Sequence, residues 1–215
     1  MIDVQSKYLT KLGEIKIDRF LGKGKSGYSY LGKLENTEVV LKLMHSETNS
    51  FYSFNQNKVE LEVESYNKLK SITNKIPKLI EYNLEENYLI KEFISGDAAS
   101  IQIAGNKIRE NHFAELFSLA NNCETENLNI DYFPSNFIVN GDDLFYIDYE
   151  VNKYSENWSF RNWGIYYWLN TNGFKKYLGT GDVNFINEDT IKGVPHKMDF
   201  TETAKLLLDK YDNRK

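Results

Sequence analysis

Gly22-Lys23-Gly24-Lys25-Ser26-Gly27 sets three glycines at GxGxxG spacing, a pattern whose missing side chains let backbone N–H groups approach phosphate oxygens. A dinucleotide-binding turn is excluded. Such a turn opens a helix and is followed about 20 residues on by an acidic residue, whereas Tyr28 onward alternates like a strand and position 42 is Lys. A Walker A loop also fails, because Gly24-Lys25-Ser26 would need glycine at position 19, where Arg19 stands. What remains is a glycine-rich hairpin, either a phosphate cover or a plain turn.

Lys42 lies inside the apolar run Val39-Val40-Leu41-Lys42-Leu43, where an unpaired ammonium is costly to desolvate. It needs an acidic partner or a phosphate, unless its stem snorkels the charge to solvent. From Lys58 to Ile72, apolar residues recur at Val59, Val63, Tyr66 and Leu69, the spacing of one helical face. At about 100° per residue Glu62 falls near the middle of that stripe, and Glu60 and Glu64 point away. An inward carboxylate and a lysine in a neighbouring strand satisfy each other, and the lysine's remaining donors can hold a nucleotide's phosphates.

Further along, Asn129-Ile130-Asp131-Tyr132-Phe133-Pro134-Ser135-Asn136 is followed after one hairpin by Tyr146-Ile147-Asp148-Tyr149-Glu150; Asp131 and Asn136 are five apart and Asp148 comes twelve later. Here the chain resembles the catalytic loop and metal-binding DFG segment of the protein-kinase-like superfamily, the pattern HxDxxxxN and then Asp after a short β-hairpin. The resemblance runs from roughly Ile15 to Leu169, with its parts in the family's order. It implies that the loop of Gly22, Gly24 and Gly27 covers the phosphates of ATP, and that Lys42 contacts the α and β phosphates while paired with Glu62. The backbone near Glu92, Phe93 and Ile94 would bond adenine. Asp131 would orient the acceptor hydroxyl and take its proton, and Asn136 and Asp148 would ligate Mg²⁺. That ligand set suits the chemistry, since phosphoryl transfer concentrates negative charge on oxygens that hard cations with oxygen ligands neutralise.

Departures from the family pattern bear on the acceptor. Asn129-Ile130 stands where protein kinases have His-Arg, Phe133 where they have Lys, and Asp148-Tyr149-Glu150 replaces Asp-Phe-Gly. The stretch IDYEVNKYSENWSFRNWG is similar to the corresponding part of choline and ethanolamine kinases, with Asn162 where those usually carry Asp, and small-molecule kinases such as the aminoglycoside phosphotransferases also often lack that glycine and lysine. The resemblance therefore implies an ATP-dependent phosphotransferase that moves the γ-phosphate of Mg-ATP to a hydroxyl, on a small molecule or a protein Ser/Thr. The alternatives are a pseudokinase-type nucleotide-binding regulatory module and a nucleotidyl (AMP) transferase on the same fold. Trp158, Trp163 and Trp168 crowd together with Tyr149, Tyr154, Tyr166 and Tyr167; they are either core or an aromatic surface for a cationic acceptor.

The elements that must position these residues are legible from periodicity. Ile15 to Leu21, Tyr28 to Leu34 and Val39 to Met44 read as strands joined by tight turns, one amphipathic helix follows over Lys58 to Ile72, and Leu79 to Leu84 and Tyr88 to Phe93 are two more strands. Ser95-Gly96-Asp97 marks a break. Beyond it, Phe113, Leu116, Phe117 and Ala120 mark a helix, and Phe137 to Val139 and Leu144 to Ile147 flank the turn Asn140-Gly141-Asp142-Asp143. Phe160 to Leu169 reads as helix, as does the C-terminal stretch, where Asp199 is placed to cap and Phe200, Ala204, Leu207, Leu208 and Tyr211 form an apolar stripe. Residues 171–198 give no clear period. With the resemblance, this predicts an α+β, two-lobed protein-kinase-like fold: residues 1–95 an N-lobe of small antiparallel sheet plus one helix, residues 96–215 a reduced, mainly helical C-lobe.

Composition bounds the rest. At 215 residues, 41% hydrophobic and 14% aromatic, the chain can bury a sizeable core, which excludes intrinsic disorder. A net charge of −5 without basic runs argues against a nucleic-acid or anionic membrane partner. The one cysteine, Cys123, excludes an internal disulfide framework and a thiolate zinc cluster and points to a reducing compartment. His45, His112 and His196 lack metal-ligand spacing. A charged N-terminus without an apolar stretch, and no run of about 20 apolar residues, predict a cytoplasmic protein.

Overall fold

Short alternating runs joined by tight reversals build an antiparallel sheet. In the computed structural model, which describes residues 2–46 and 56–212, this sheet has six strands: β1 (Lys7–Thr10), β2 (Gly13–Lys23), β3 (Gly27–Leu34), β4 (Thr37–Met44), β5 (Leu79–Asn83) and β6 (Tyr88–Glu92). Their order is β1-β2-β3-β4-β6-β5, and each neighbouring pair is antiparallel. Opposed residues share a face, so one face carries Ile15, Ile17, Tyr30, Val39, Leu41, Tyr88 and Ile90 into an apolar cluster. The other face carries Val40, Lys42, Leu89 and Lys91 by the register Val40↔Lys91 and Lys42↔Leu89. Strand β1 has no counterpart in the sequence reading, because its four residues, KYLT, are too few to show a period.

Helix α1 (Lys58–Ile72) begins where Asn57 Oδ1 accepts from the amides of Val59 and Glu60 at 2.8 and 3.4 Å, an N-cap that satisfies otherwise orphaned donors. Lys58 Nζ donates to the His45 carbonyl at 2.6 Å, tying the helix start to the end of β4.

The chain divides into two compact units, Met1–Asn67 with Pro77–Phe93, and Lys68–Ile76 with Ile94–Lys215. The second is the more helical, as expected of the C-terminal part. It contains β7 (Asp97–Ala98), α2 (Ala99–Ala104), α3 (Glu110–Thr125), β8 (Leu128–Ile130), the hairpin β9 (Phe137–Asn140) and β10 (Asp143–Tyr146), β11 (Val151–Lys153), α4 (Ile165–Leu169), α5 (Thr171–Thr180), β12 (Asn187–Asp189), β13 (Val194–Pro195) and α6 (Thr201–Tyr211). Its core gathers Leu116, Phe117, Cys123, Phe137, Tyr146, Phe160, Trp168 and Phe174, all buried. The hairpin turns at Gly141, whose φ of 63° is the left-handed value the two-residue turn requires. A π-helical turn over Phe160–Gly164 leads into α4, so the helix read from Phe160 to Leu169 is present with its first turn widened.

Two expectations need correction. Asp199 does not cap α6: a 3₁₀ turn spans Met198–Phe200, Phe200 is the residue before the helix, and no side chain closes its first turn. The helix is instead held by burial of Ala204 and by its far end, where the Tyr211 hydroxyl donates to Glu110 Oε1 at 2.7 Å. Residues 171–198 contain α5, which Asn170 starts by accepting from the Gly173 amide at 2.8 Å and which Gly181 ends at φ 75°. The aromatic crowd divides: Tyr149, Tyr167 and Trp168 are buried in the core, Tyr154, Trp163 and Tyr166 are half-buried, and Trp158 is exposed. Among the described residues no helix is long and apolar enough to cross a membrane.

Candidate functional site

In the first unit, β4 and α1 bring Lys42 and Glu62 together. Lys42 Nζ lies 2.5 Å from Glu62 Oε1, with the side chains 7% and 8% exposed. Glu60 and Glu64 are exposed, so the helical phase singled out the one inward carboxylate. A pair this well buried exchanges the hydration of two ions for their mutual contact, so the loss of either weakens the burial of the other.

The glycine hairpin is attached to this pair. Gly22 lies in β2, Gly24 in the turn and Gly27 at the start of β3. The three glycines answer different demands. A Cβ on Gly27 would meet the Leu43 carbonyl oxygen at 2.5 Å, so β4 passes too close for any side chain. Among the described residues Gly22 has nothing within 4 Å of such a Cβ, and Gly24 only the Gly27 carbonyl at 3.8 Å, so the space beside them is open there. The turn is closed by Gly24 N–H donating to the Gly27 carbonyl at 2.9 Å, and the His45 amide donates to the Ser26 carbonyl at 3.1 Å. The Ser26 hydroxyl donates to Glu62 Oε1 at 2.7 Å.

Glu92 ends β6, and Ile94 follows two residues later. The Glu92 amide donates to the Lys78 carbonyl at 2.9 Å, and its carboxylate accepts from the Lys78 amide at 3.1 Å. The amide proton of Glu92 is thus already used within the sheet.

In the second unit, Asp131 directly follows β8, Asn136 ends the 3₁₀ turn Pro134–Asn136, and Asp148 follows β10. Asp131 Oδ1 accepts from the Phe133 amide at 3.0 Å, and Asn136 Nδ2 donates to the Asp131 carbonyl at 3.2 Å, which leaves the amide Oδ1 as an oxygen ligand. The Ile147 amide donates to the Asn136 carbonyl at 2.8 Å, so the residue before Asp148 is fastened to the Asn136 turn. Tyr146 reports the convergence. Burial pushes its hydroxyl far above the usual phenol range, and the charges of Asp148, Asp131 and Glu150 push in the same direction. Burial and then Asp131 raise Tyr167 likewise. Among the described residues no three His, Cys, Asp or Glu side chains form a cage for a metal; Asp148 and Asn136 offer a partial oxygen set of the kind Mg²⁺ completes with water and phosphate.

Three residues escaped the sequence reading. Ser26, inside the glycine loop, carries no signal of its own, because its bond to Glu62 spans 36 residues. Lys91 is only 6% exposed on the same sheet face as Lys42, and a lysine in the apolar run Tyr88-Leu89-Ile90 is the very signal that picked out Lys42. Arg161, 3% exposed, bonds Glu124 at 2.5 Å, both carboxylate oxygens of Asp212 at 3.1 Å, and Asn121. Its four acceptor atoms come from α3 and from Asp212, the residue just after α6, a tie between distant elements rather than a site.

No protein-family model matches the chain, and no curated protein matches it. Among solved structures, that of vaccinia related kinase 3 aligns with a TM-score of 0.44 at 15% identity, covering 69% of this chain and 51% of that one. The chain spans about half the length of that kinase.

Proposed function

We infer that the chain is a phosphotransferase that moves the γ-phosphate of Mg-ATP to a hydroxyl acceptor. The observation that carries this reading is the buried Lys42–Glu62 pair with a glycine hairpin fastened to it. A buried ion pair gives little net stability compared with apolar side chains of the same volume. Its use lies in holding an ammonium ready for an anion, and the room beside Gly22 and Gly24 is where backbone amides can meet phosphate oxygens. Lys42 then binds the α and β phosphates and Glu62 orients it. Asn136 and Asp148 would hold Mg²⁺, which when bound neutralises charge on the phosphate oxygens. Asp131 orients the acceptor hydroxyl and takes its proton, and its own position is set by the Phe133 amide.

The test is a thermal shift with millimolar Mg-ATP, which should raise Tm through preferential binding to the folded chain. Asp131→Asn should abolish transfer and keep nucleotide binding, and Asp148→Asn should weaken Mg²⁺-dependent binding. Mass analysis of the product separates an added phosphate from an added AMP. No shift with nucleotide, or both variants as active as the unaltered chain, would overturn the reading.

A further inference from the structure

Glu62 holds its partners unevenly. Oε1 takes both the Lys42 ammonium at 2.5 Å and the Ser26 hydroxyl at 2.7 Å, and Oε2 is buried with no hydrogen-bond partner among the described residues. Ser26 sits at the turn between β2 and β3, so its hydroxyl is a side-chain tether that runs from the glycine hairpin to the ion pair. Backbone bonds close the turn on itself and on the end of β4, which Lys58 Nζ ties to the start of α1; the Ser26 hydroxyl adds a direct link to Glu62. A bond from a neutral hydroxyl to a carboxylate is among the stronger kinds.

We propose that Ser26 is a positioning residue, a latch that holds the glycine hairpin down on the Lys42–Glu62 pair and so keeps its amides and the lysine in one fixed relation. The proposal rests on the phosphotransferase reading for what the latch serves, though not for its existence. Ser26 acts through Glu62. With the latch closed, the binding-competent hairpin is the dominant state; with the hydroxyl removed, the hairpin opens more often and the apparent affinity for a ligand that needs it closed falls by the fraction lost. Losing a hydrogen bond to a charged group raises such an opening constant by about tenfold or more.

The experiment compares Ser26→Ala and Ser26→Thr with the unaltered chain. Amide hydrogen exchange of residues 22–27, measured without nucleotide, should quicken by about tenfold in Ser26→Ala and return towards the original rate in Ser26→Thr, which keeps the hydroxyl. Kd for Mg-ATP should weaken by a similar factor in Ser26→Ala, with kcat little changed. Exchange that does not quicken in Ser26→Ala, or that quickens equally in Ser26→Thr, overturns the latch. Quickened exchange with an unchanged Kd overturns the positioning role. Should the unaltered chain fail to bind Mg-ATP, the phosphotransferase reading falls, and the exchange rates alone decide whether Ser26 holds the hairpin.

Discussion

Breaking the Lys42–Glu62 pair from one side should cost more than removing it whole. Lys42→Met leaves Glu62, 6% exposed, with the Ser26 hydroxyl as its remaining partner, and Glu62→Leu removes the anion that the Lys42 ammonium faces at 2.5 Å. Each single change takes from a buried ion its partner in the pair and should destabilise the fold by about 3 kcal/mol, the low end of the range because the ion's other interactions soften the loss. Lys42→Met combined with Glu62→Leu buries no charge. It should cost only about 1 kcal/mol, mainly the acceptor lost by Ser26, whose half-buried hydroxyl can turn to water. At a typical urea slope of about 2 kcal/mol per molar, each single variant should unfold roughly 1.5 M earlier and the double about 0.5 M earlier. Far-UV circular dichroism should follow the transition, because Trp158, Trp163 and Trp168 all lie in the second unit and the pair lies in the first. Single variants that unfold with the unaltered chain, or a double variant whose loss is the sum of the singles, would refute the account of the pair as mutually dependent ions.

Gly27→Ala must push Leu43 aside and should lower Tm by several degrees, whereas Gly24→Ala, with its nearest neighbour 3.8 Å away, should leave Tm nearly unchanged in the absence of nucleotide. Arg161→Lys replaces a planar fork by a point charge among Glu124, Asp212 and Asn121 and should cost about 2–4 kcal/mol in tryptophan-monitored urea unfolding. Lys7→Ala, which removes a pair with side chains 65% and 49% exposed, should cost under about 0.5 kcal/mol in urea unfolding followed by far-UV circular dichroism. Burial pushes the Cys123 thiol up from 9.0 to about 12, so it stays protonated and should resist a thiol reagent at pH 8 until the chain unfolds. Because the folded chain then keeps a proton that the unfolded chain releases, this thiol's contribution to stability should fall as pH rises from about 9 towards 12.

Much of this protein was written locally. The hairpin around Gly24, the strand holding Lys42, the phase that turns Glu62 inward, and the Asn140-Gly141 reversal each depend on residues within one or two turns of chain, where period and turn chemistry act directly. The spacing of Asp131, Asn136 and Asp148 was legible for the same reason, since one 3₁₀ turn and one hairpin carry them. What escaped was set by partners far along the chain. Strand β1 exists because β2 pairs with it, β8 and β11 because they pair with each other across 20 residues of intervening chain, and α6 starts without the side-chain cap its sequence offers because burial of Ala204 and the Tyr211 contact settle its place. The Ser26–Glu62 bond and the acceptors around Arg161 likewise join residues 36 to 51 positions apart. Local propensity selects which segments can be strand or helix and which face turns inward; which charge meets which carboxylate is decided only when the faces pack, because burial makes an unmatched polar group costly and so selects one pairing among many.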